Sequence, residues 1–450
     1  MGHSHLPPGP QMSTGLLKLH WLFRRLQLLD SCARRYGDAF TLARDKSGHA
    51  MVVVSKPQHL QRLFSAPPEG LLSRPINHSL RHLIGNRSMF LLDGEAHKRA
   101  RRLSLPPFQM GRMASYGQEL IHITERWMER LPRARPFSFS KAAHSLVLEV
   151  VLRLGVGLKS QAELDLMGSC VTQLYDGLAP GLNPVRLWST LRRLRDMKSD
   201  SDLRLVDTAV LDIIRRRRGE HLAGRTDFLS QLLQARSGED GFDDAEIRDH
   251  LITMFFAGID TMTSALTWSL RWILAAPATL DRLRQEIASC VEASRLMPEK
   301  VDALPYLDAA VREALRLVAV IPSLARVATS SLDFDDFVVP AGTMVVGAIY
   351  LAHRRAESFP EPLRFRPERF LGAKPSQYQW LPFGGGARRC IGLHFGLYGL
   401  RLALATLLWG ANFALRSRRL KPVMVGVATG PSGGLIVSAR SLRPRNQVPS

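Results

Sequence analysis

Apolar residues recur with helical spacing along most of this chain, and the strongest such run is "DDAEIRDHLITMFFAGIDTMTSALTWSLRWILAAP", residues 243–277. Asp243 with Glu246 reads as a capping box at its start, and Pro277 marks its end. About 30 residues at ~1.5 Å each make a rod of roughly 45 Å, long enough to cross a whole domain. The stretch 251–259 is apolar nearly all round, which predicts burial in a core. Asp260, Thr261 and Thr263 then fall in the middle of a buried rod, where a polar group needs a partner and a charge is costly. Two readings stay open for them. The hydroxyls bond back to the helix carbonyls and Asp260 pairs with a base, or the acid and the alcohol form a functional pair.

The rest of the pattern is simpler. Residues 94–317 read mainly as helices separated by Pro/Gly clusters, with strand-like runs at 51–55 and after Phe334. "FVVPAGTMVV", 337–346, reads as strand, turn, strand. "LLKLHWLFRRLQLL", 16–29, is a basic amphipathic segment that either packs on the domain or touches a membrane surface. There is no internal repeat, low-complexity tract or long Gly/Ser linker. The expected fold is a single large domain over 1–450, mainly α with a minor β region, with a flexible start (1–15) and a C-terminal tail (440–450).

Composition narrows the partners. Sixty-one Lys and Arg against 40 Asp and Glu give the 450 residues a formal charge of +21, which favours nucleic acid, an anionic membrane or an acidic protein. The basic residues are spread along the chain without a zinc finger, an RNP-like motif or an aromatic-studded basic stripe, which argues against nucleic acid. Four scattered cysteines (Cys32, Cys170, Cys290, Cys390) form neither a disulfide framework nor a CxxC site and suit a reducing compartment. No run of about 18 apolar residues reads as a transmembrane anchor, and the start lacks a signal-peptide core. The expected location is cytoplasmic.

One cysteine stands in unusual company. "PFGGGARRCIG", 382–392, places Cys390 behind three glycines and two arginines and just before the apolar helical run that starts at Leu393. Glycines let the backbone take positive φ and approach another group closely. A helix N-terminus and cationic neighbours favour a thiolate. A zinc site needs about four ligands, and no second Cys or suitable Cys/His pair lies near. A redox or nucleophilic cysteine remains open, but a single axial thiolate ligand to haem iron suits these residues better.

"FGGGARRCIG" resembles the haem-binding loop of the cytochromes P-450, the haem-thiolate monooxygenases, with Phe383, Gly386, Arg388, Cys390 and Gly392 in every fixed position. "AGIDTM", 257–262, is similar to that family's oxygen-binding helix segment, Met262 departing from its last position. "EALR" (Glu313, Arg316) and "FRPERF" (Arg369) resemble its structural triad. "GEAHKRAR" (His97, Arg101) and "PSLARVA" (Arg326) resemble its propionate-binding segments. The resemblance implies the cytochrome P-450 fold, with a long central helix over a haem b. It implies that Cys390 ligates the iron and Phe383 packs beside the sulfur. His97, Arg101, Ala257, Arg326, Arg388 and Gly392 would complete the haem site, and Asp260 and Thr261 would deliver protons.

The function expected from this resemblance is a monooxygenase of the soluble bacterial type. It activates dioxygen with two electrons drawn from NAD(P)H through an acidic ferredoxin-type or flavodoxin-type partner and its reductase. The substrate is a largely apolar small molecule, a fatty acid or terpenoid, because the stretches expected to line its site (88–92, 254–258, 320–324, 433–435) hold no acid or base. A carboxylate is expected to be tolerated at the entrance, near Arg74, Arg81 and Arg87. The alternatives are a haem-binding sensor or carrier without turnover and a peroxide-driven peroxygenase; the acid–alcohol pair speaks against both.

Overall fold

The structure, a computed structural model, describes residues 6–44, 50–67, 69–133, 135–178, 201–237, 240–293, 295–372, 375–417 and 419–441. The central helix runs Asp244–Leu274 with Asp243 as its N-cap. Asp243 accepts from the Glu246 amide at 2.8 Å and the Glu246 carboxylate accepts from the Asp243 amide at 3.1 Å, so the capping box forms as the sequence suggests. Its 31 residues span about 46 Å. The next helix, Pro277–Ala288, starts on the proline that closes this one.

This helix belongs to two hydrophobic clusters. Ile247, Leu251, Ile252, Phe255, Phe256 and Ile259 join one, with the helices Phe139–Val150, Gln161–Leu178 and Ser201–Arg218. Ala265, Leu266, Leu270 and Ile273 join the other, with the helices Met113–Glu129, Pro305–Leu317 and Leu393–Gly410. Residues 260–264 lie at the seam, and Met262 packs against both. A methyl group on Gly396 would lie 3.6 Å from its sulfur, and one on Gly399 3.7 Å from its methyl carbon. Met262, the departure from the segment that this stretch resembles, therefore packs the central helix against the helix behind the cysteine loop.

A five-stranded sheet packs beside a third cluster. Its strands are β1 (Ala39–Arg44), β2 (Ala50–Val54), β3 (Leu71–Leu72), β4 (Leu324–Ala328) and β5 (Met344–Gly347), in the order β1-β2-β5-β4-β3. Residues 337–346 do form strand, turn, strand: Val338–Val339, a turn, then β5. The two strands do not pair with each other. Val338–Val339 pairs with Leu332–Asp333, whereas β5 pairs parallel with β2 and antiparallel with β4. Long-range partners, which local pattern does not encode, take the two halves into different sheets.

A correction falls at the N-terminal end. Residues 16–29 form two helices, α1 (Thr14–Phe23) and α2 (Arg25–Tyr36), broken at Arg24 where φ is −137°. Within the stretch 1–15, the Pro7 carbonyl accepts from the Thr41 hydroxyl at 2.7 Å and the Pro8 carbonyl from the Thr41 amide at 3.1 Å. Residues 1–5 of that stretch, and 442–450 of the expected tail, lie outside the described residues. Arg440 is still in a strand, Ile436–Ser441, opposite Asn412. No helix among the described residues is long and apolar enough to cross a membrane.

Candidate haem-thiolate site

The cysteine loop is held by its backbone. The Gly384 amide donates to the Leu381 carbonyl at 3.0 Å, Arg389 to Gly386 at 3.0 Å, and Cys390 to Phe383 at 2.9 Å. Gly386 has φ +66°, and a methyl group there would fall 1.7 Å from the Phe64 carbonyl oxygen, so no other residue fits. Gly392 caps the helix Leu393–Gly410 and directs its amide at the Cys390 sulfur. Phe383 stands edge-on to Trp380, ring centres 6.4 Å apart.

Cys32, Cys170 and Cys290 are buried, whereas the Cys390 side chain has accessible surface although it sits deep in the protein. Its sulfur therefore lines an internal hollow rather than packing against neighbours. Burial pushes its thiol up, while the Gly392 amide, Arg101 and Arg389 pull it down. The sequence reading counted only the groups that favour a thiolate. In the protein alone burial outweighs them, and a cation at the sulfur would reverse the balance. Among the described residues no three His, Cys, Asp or Glu side chains gather as metal ligands.

Next to the sulfur lies a basic cluster. His97 is 3% exposed on the helix Gly94–Ser104, with Arg101 one turn on. Burial, then Arg388 and Arg101, push its imidazole down to about 4, so it is neutral near pH 7. Arg326, on β4, is pushed down to about 10 by burial and then by Arg388. Among the described residues it donates only to the Ala325 carbonyl, at 2.7 Å. Arg388 pairs with Asp93 and donates to the Leu92 carbonyl. Asp93 also accepts from the Ser73 and Arg74 amides, at 3.0 Å each. Asp93 is thus the one carboxylate among three guanidinium groups, and Arg101 and Arg326 have no acidic partner among the described residues. A buried excess of positive charge calls for anionic groups. One sulfur opening on a hollow, close backbone approach and unpaired cations beside it are the donor set that a haem with two propionates needs.

Asp260 and Thr261 sit at the seam of the central helix. The Thr261 hydroxyl donates to the Ala257 carbonyl at 2.7 Å and approaches that of Gly258 at 3.3 Å. The helix continues through Gly258. Among the described residues Asp260 meets no base, and burial pushes its carboxyl up to about 6. Its neighbour is the tip of the hairpin Pro422–Val425/Ala428–Pro431, where a methyl group on Gly426 would lie 2.5 Å from Oδ2. No hydrogen bond joins Asp260 to Thr261 among the described residues. The hairpin is stapled to the helix beyond them: Ser264 Oγ (2.6 Å) and Trp268 Nε1 (2.7 Å) both donate to the Thr429 carbonyl.

The expected triad is fully internal. Glu313 and Arg316 are both 0% exposed and paired through two hydrogen bonds, of 2.6 and 2.9 Å. Arg369 joins Glu313 at 3.3 Å. At the expected entrance, Arg87 is already paired with Asp243, and Arg81 bonds the His78 carbonyl of its own turn. Sequence reasoning missed Asp93, Gly426 and the Phe64 carbonyl. Asp93, just before the helix that carries His97, was open to it as an N-cap position; the other two contacts are set by tertiary packing alone.

Comparison with known proteins agrees with this geometry. A family model described as Cytochrome P450 matches residues 7–433. Cytochrome P450 135B1 of Mycobacterium tuberculosis is 35% identical over 449 residues, covering 97% of this chain and 92% of that protein. Cytochrome P450 135A1 of the same organism is 32% identical over 401 residues, covering 87% and 85%. Among solved structures, retinoic acid bound cyanobacterial CYP120A1 matches with a TM-score of 0.81 at 23% identity, covering 98% of this chain and 100% of that one, a likeness of fold.

Proposed function

The chain belongs to the cytochrome P450 family of haem monooxygenases, and from that premise we propose that it hydroxylates a largely apolar small molecule, a fatty acid or terpenoid, with Cys390 as the iron ligand. The observation that carries the reading is the sulfur opening on a hollow beside arginines that lack acidic partners. Haem, when bound, supplies reductive activation of dioxygen and transfer of one oxygen atom to the substrate.

The chain's own residues do the rest. Arg101, Arg326 and Arg388, with neutral His97, hold the propionates, and Cys390 holds the iron. Phe383 and Gly392 shield and orient the sulfur. The Asp260 carboxyl, poised at about 6, exchanges its proton close to neutral pH and can take one up and pass it on. The Thr261 hydroxyl, whose proton is committed to the Ala257 carbonyl, offers its oxygen as an acceptor on the same turn. Half-buried Phe90, Leu92 and Met254, packed on the cluster along the first half of the central helix, support an apolar substrate. The +21 charge and exposed Arg102 and Arg389 support an acidic ferredoxin-type or flavodoxin-type donor drawing on NAD(P)H. Four unpaired cysteines support a reducing, cytoplasmic setting.

The test is spectral. The reduced protein exposed to CO shows the long-wavelength Soret band of a thiolate-ligated haem, and Cys390→Ala loses it. A band that survives the substitution refutes the ligand. In the ferric protein, a long-chain fatty acid and a sesquiterpene displace the iron's water and shift the band, whereas a charged aromatic amine does not. The reverse order of response overturns the substrate class.

A further inference from the structure

Helix α1 is apolar on two sides, and only one of them is covered. Leu17 is buried at 4% exposure and anchors the helix on the cluster beneath the sheet. Leu16, Leu19 and Leu22 remain 46%, 53% and 47% exposed. At 100° per residue they lie within about 120° of one another, a single stripe pointing away from the body. A surface helix normally turns its polar face outward; a helix apolar all round belongs between two apolar bodies.

The chain around this stripe is basic. Residues 14–36 hold Lys18, Arg24, Arg25, Arg34 and Arg35 against the single acid Asp30, whose carboxylate accepts from the Tyr350 hydroxyl at 2.9 Å. Arg25 is spent on Trp21, lying over its ring at 4.6 Å and donating to its carbonyl at 3.3 Å. Arg24, Arg34 and Arg35 are exposed and have no carboxylate partner among the described residues.

We propose that the Leu16–Leu19–Leu22 face of α1 docks this protein on the surface of an anionic lipid bilayer, the leucines entering the headgroup–acyl boundary and Arg24 at the end of α1, with Arg34 and Arg35 in the last turn of α2, meeting lipid phosphates. Charge selects this occupant. A second copy of the chain brings the same basic segment and another +21, so two such faces repel as they approach. An anionic bilayer answers both the apolar stripe and the arginines. The attachment is peripheral, since no described helix is able to span.

The experiment is flotation of the haem-loaded protein with two vesicle types, phosphatidylcholine alone and equal parts phosphatidylcholine and phosphatidylglycerol. Wild type floats with the anionic vesicles only. The triple variant Leu16→Ser, Leu19→Ser, Leu22→Ser loses at least about tenfold in partitioning, because three half-exposed leucines no longer enter lipid. Arg24→Glu, Arg34→Glu, Arg35→Glu abolishes the preference for anionic lipid. All six side chains are exposed and none bonds to the cysteine loop among the described residues, so both variants keep the CO-bound Soret band of wild type, which reports that they are folded. Failure of wild type to float, or equal flotation of the leucine variant, overturns the proposal. So does sedimentation of wild type as a dimer that the leucine variant converts to monomer, which gives the face to a second copy.

Discussion

Replacing Glu313 by Ala removes a carboxylate that three residues use through four contacts. Arg316 loses two hydrogen bonds, of 2.6 and 2.9 Å. The Arg366 amide loses one of 2.9 Å, and Arg369 loses its contact at 3.3 Å. Arg316 is 0% exposed, so no water replaces the lost acceptor. An exposed i, i+3 pair contributes roughly 0.2–1 kcal/mol, whereas stranding one member of a buried pair costs about 3–5 kcal/mol. The upper range applies here, because the stranded guanidinium is left with only the backbone carbonyls of His353, Pro362 and Arg364. Those carbonyls also decide the double variant. Glu313→Leu with Arg316→Met removes both charges but leaves three acceptors without their donor, at about 1–3 kcal/mol for each that stays buried and dry, so it does not recover wild-type stability. Urea unfolding followed by far-UV circular dichroism, wild type against both variants, measures this. A loss under about 1 kcal/mol for Glu313→Ala would show that the pair behaves as a surface contact and refute the reasoning.

Four further outcomes follow from the same geometry. Asp260 holds its proton to about 6 when folded but only to about 4 when unfolded, so the folded protein binds more protons in that window and its stability falls as pH rises through it. Asp260→Asn is therefore more stable than wild type at pH 7, by up to about 3 kcal/mol, and melts with wild type at pH 4, where the folded carboxyl is already protonated; equal melting at pH 7 contradicts the uncompensated burial. Gly386→Ala, which sets a methyl group against the Phe64 carbonyl, expresses without a thiolate-ligated Soret band. Thr261→Ala keeps haem and substrate binding but diverts reducing equivalents to hydrogen peroxide; unchanged product per NADPH removes it from proton delivery. The rate of reduction by an acidic ferredoxin drops as salt rises, since screening shortens from ~10 Å at 0.1 M to ~3 Å at 1 M, and a flat rate counts against electrostatic docking.

Signals carried by neighbouring residues were legible in the sequence. The capping box at Asp243–Glu246, the stop at Pro277 and the glycines before Cys390 each follow from local backbone chemistry. What depends on distant chain was not. Glu313 and Arg316 have the spacing of an ordinary surface pair, and only the segment carrying Arg366 and Arg369 closing over them makes the pair internal. Val338 and Val345 look alike as strand residues yet enter different sheets. For Asp260 the sequence posed a choice between a buried base and a functional pair. The structure supplies no base, and a glycine hairpin tip takes that place. At Cys390 the groups that attract charge were visible in the sequence and the burial that opposes them was not.

The contact between Gly386 and the Phe64 carbonyl has a bearing on the order in which the chain is made. The two residues lie near opposite ends of the sequence, and β2 likewise has to find β5 late in the chain. A ribosome releases the helix that carries Phe64, Pro57–Ser65, long before the loop that must close against it. The early segment therefore emerges with its apolar strand edge uncovered until the last quarter of the chain arrives, and closure over such a separation is slow. The cysteine loop is among the last parts to take shape. A nascent chain stalled before β5 would leave β2 open to aggregation, and one stalled before residue 390 would lack the proposed iron ligand.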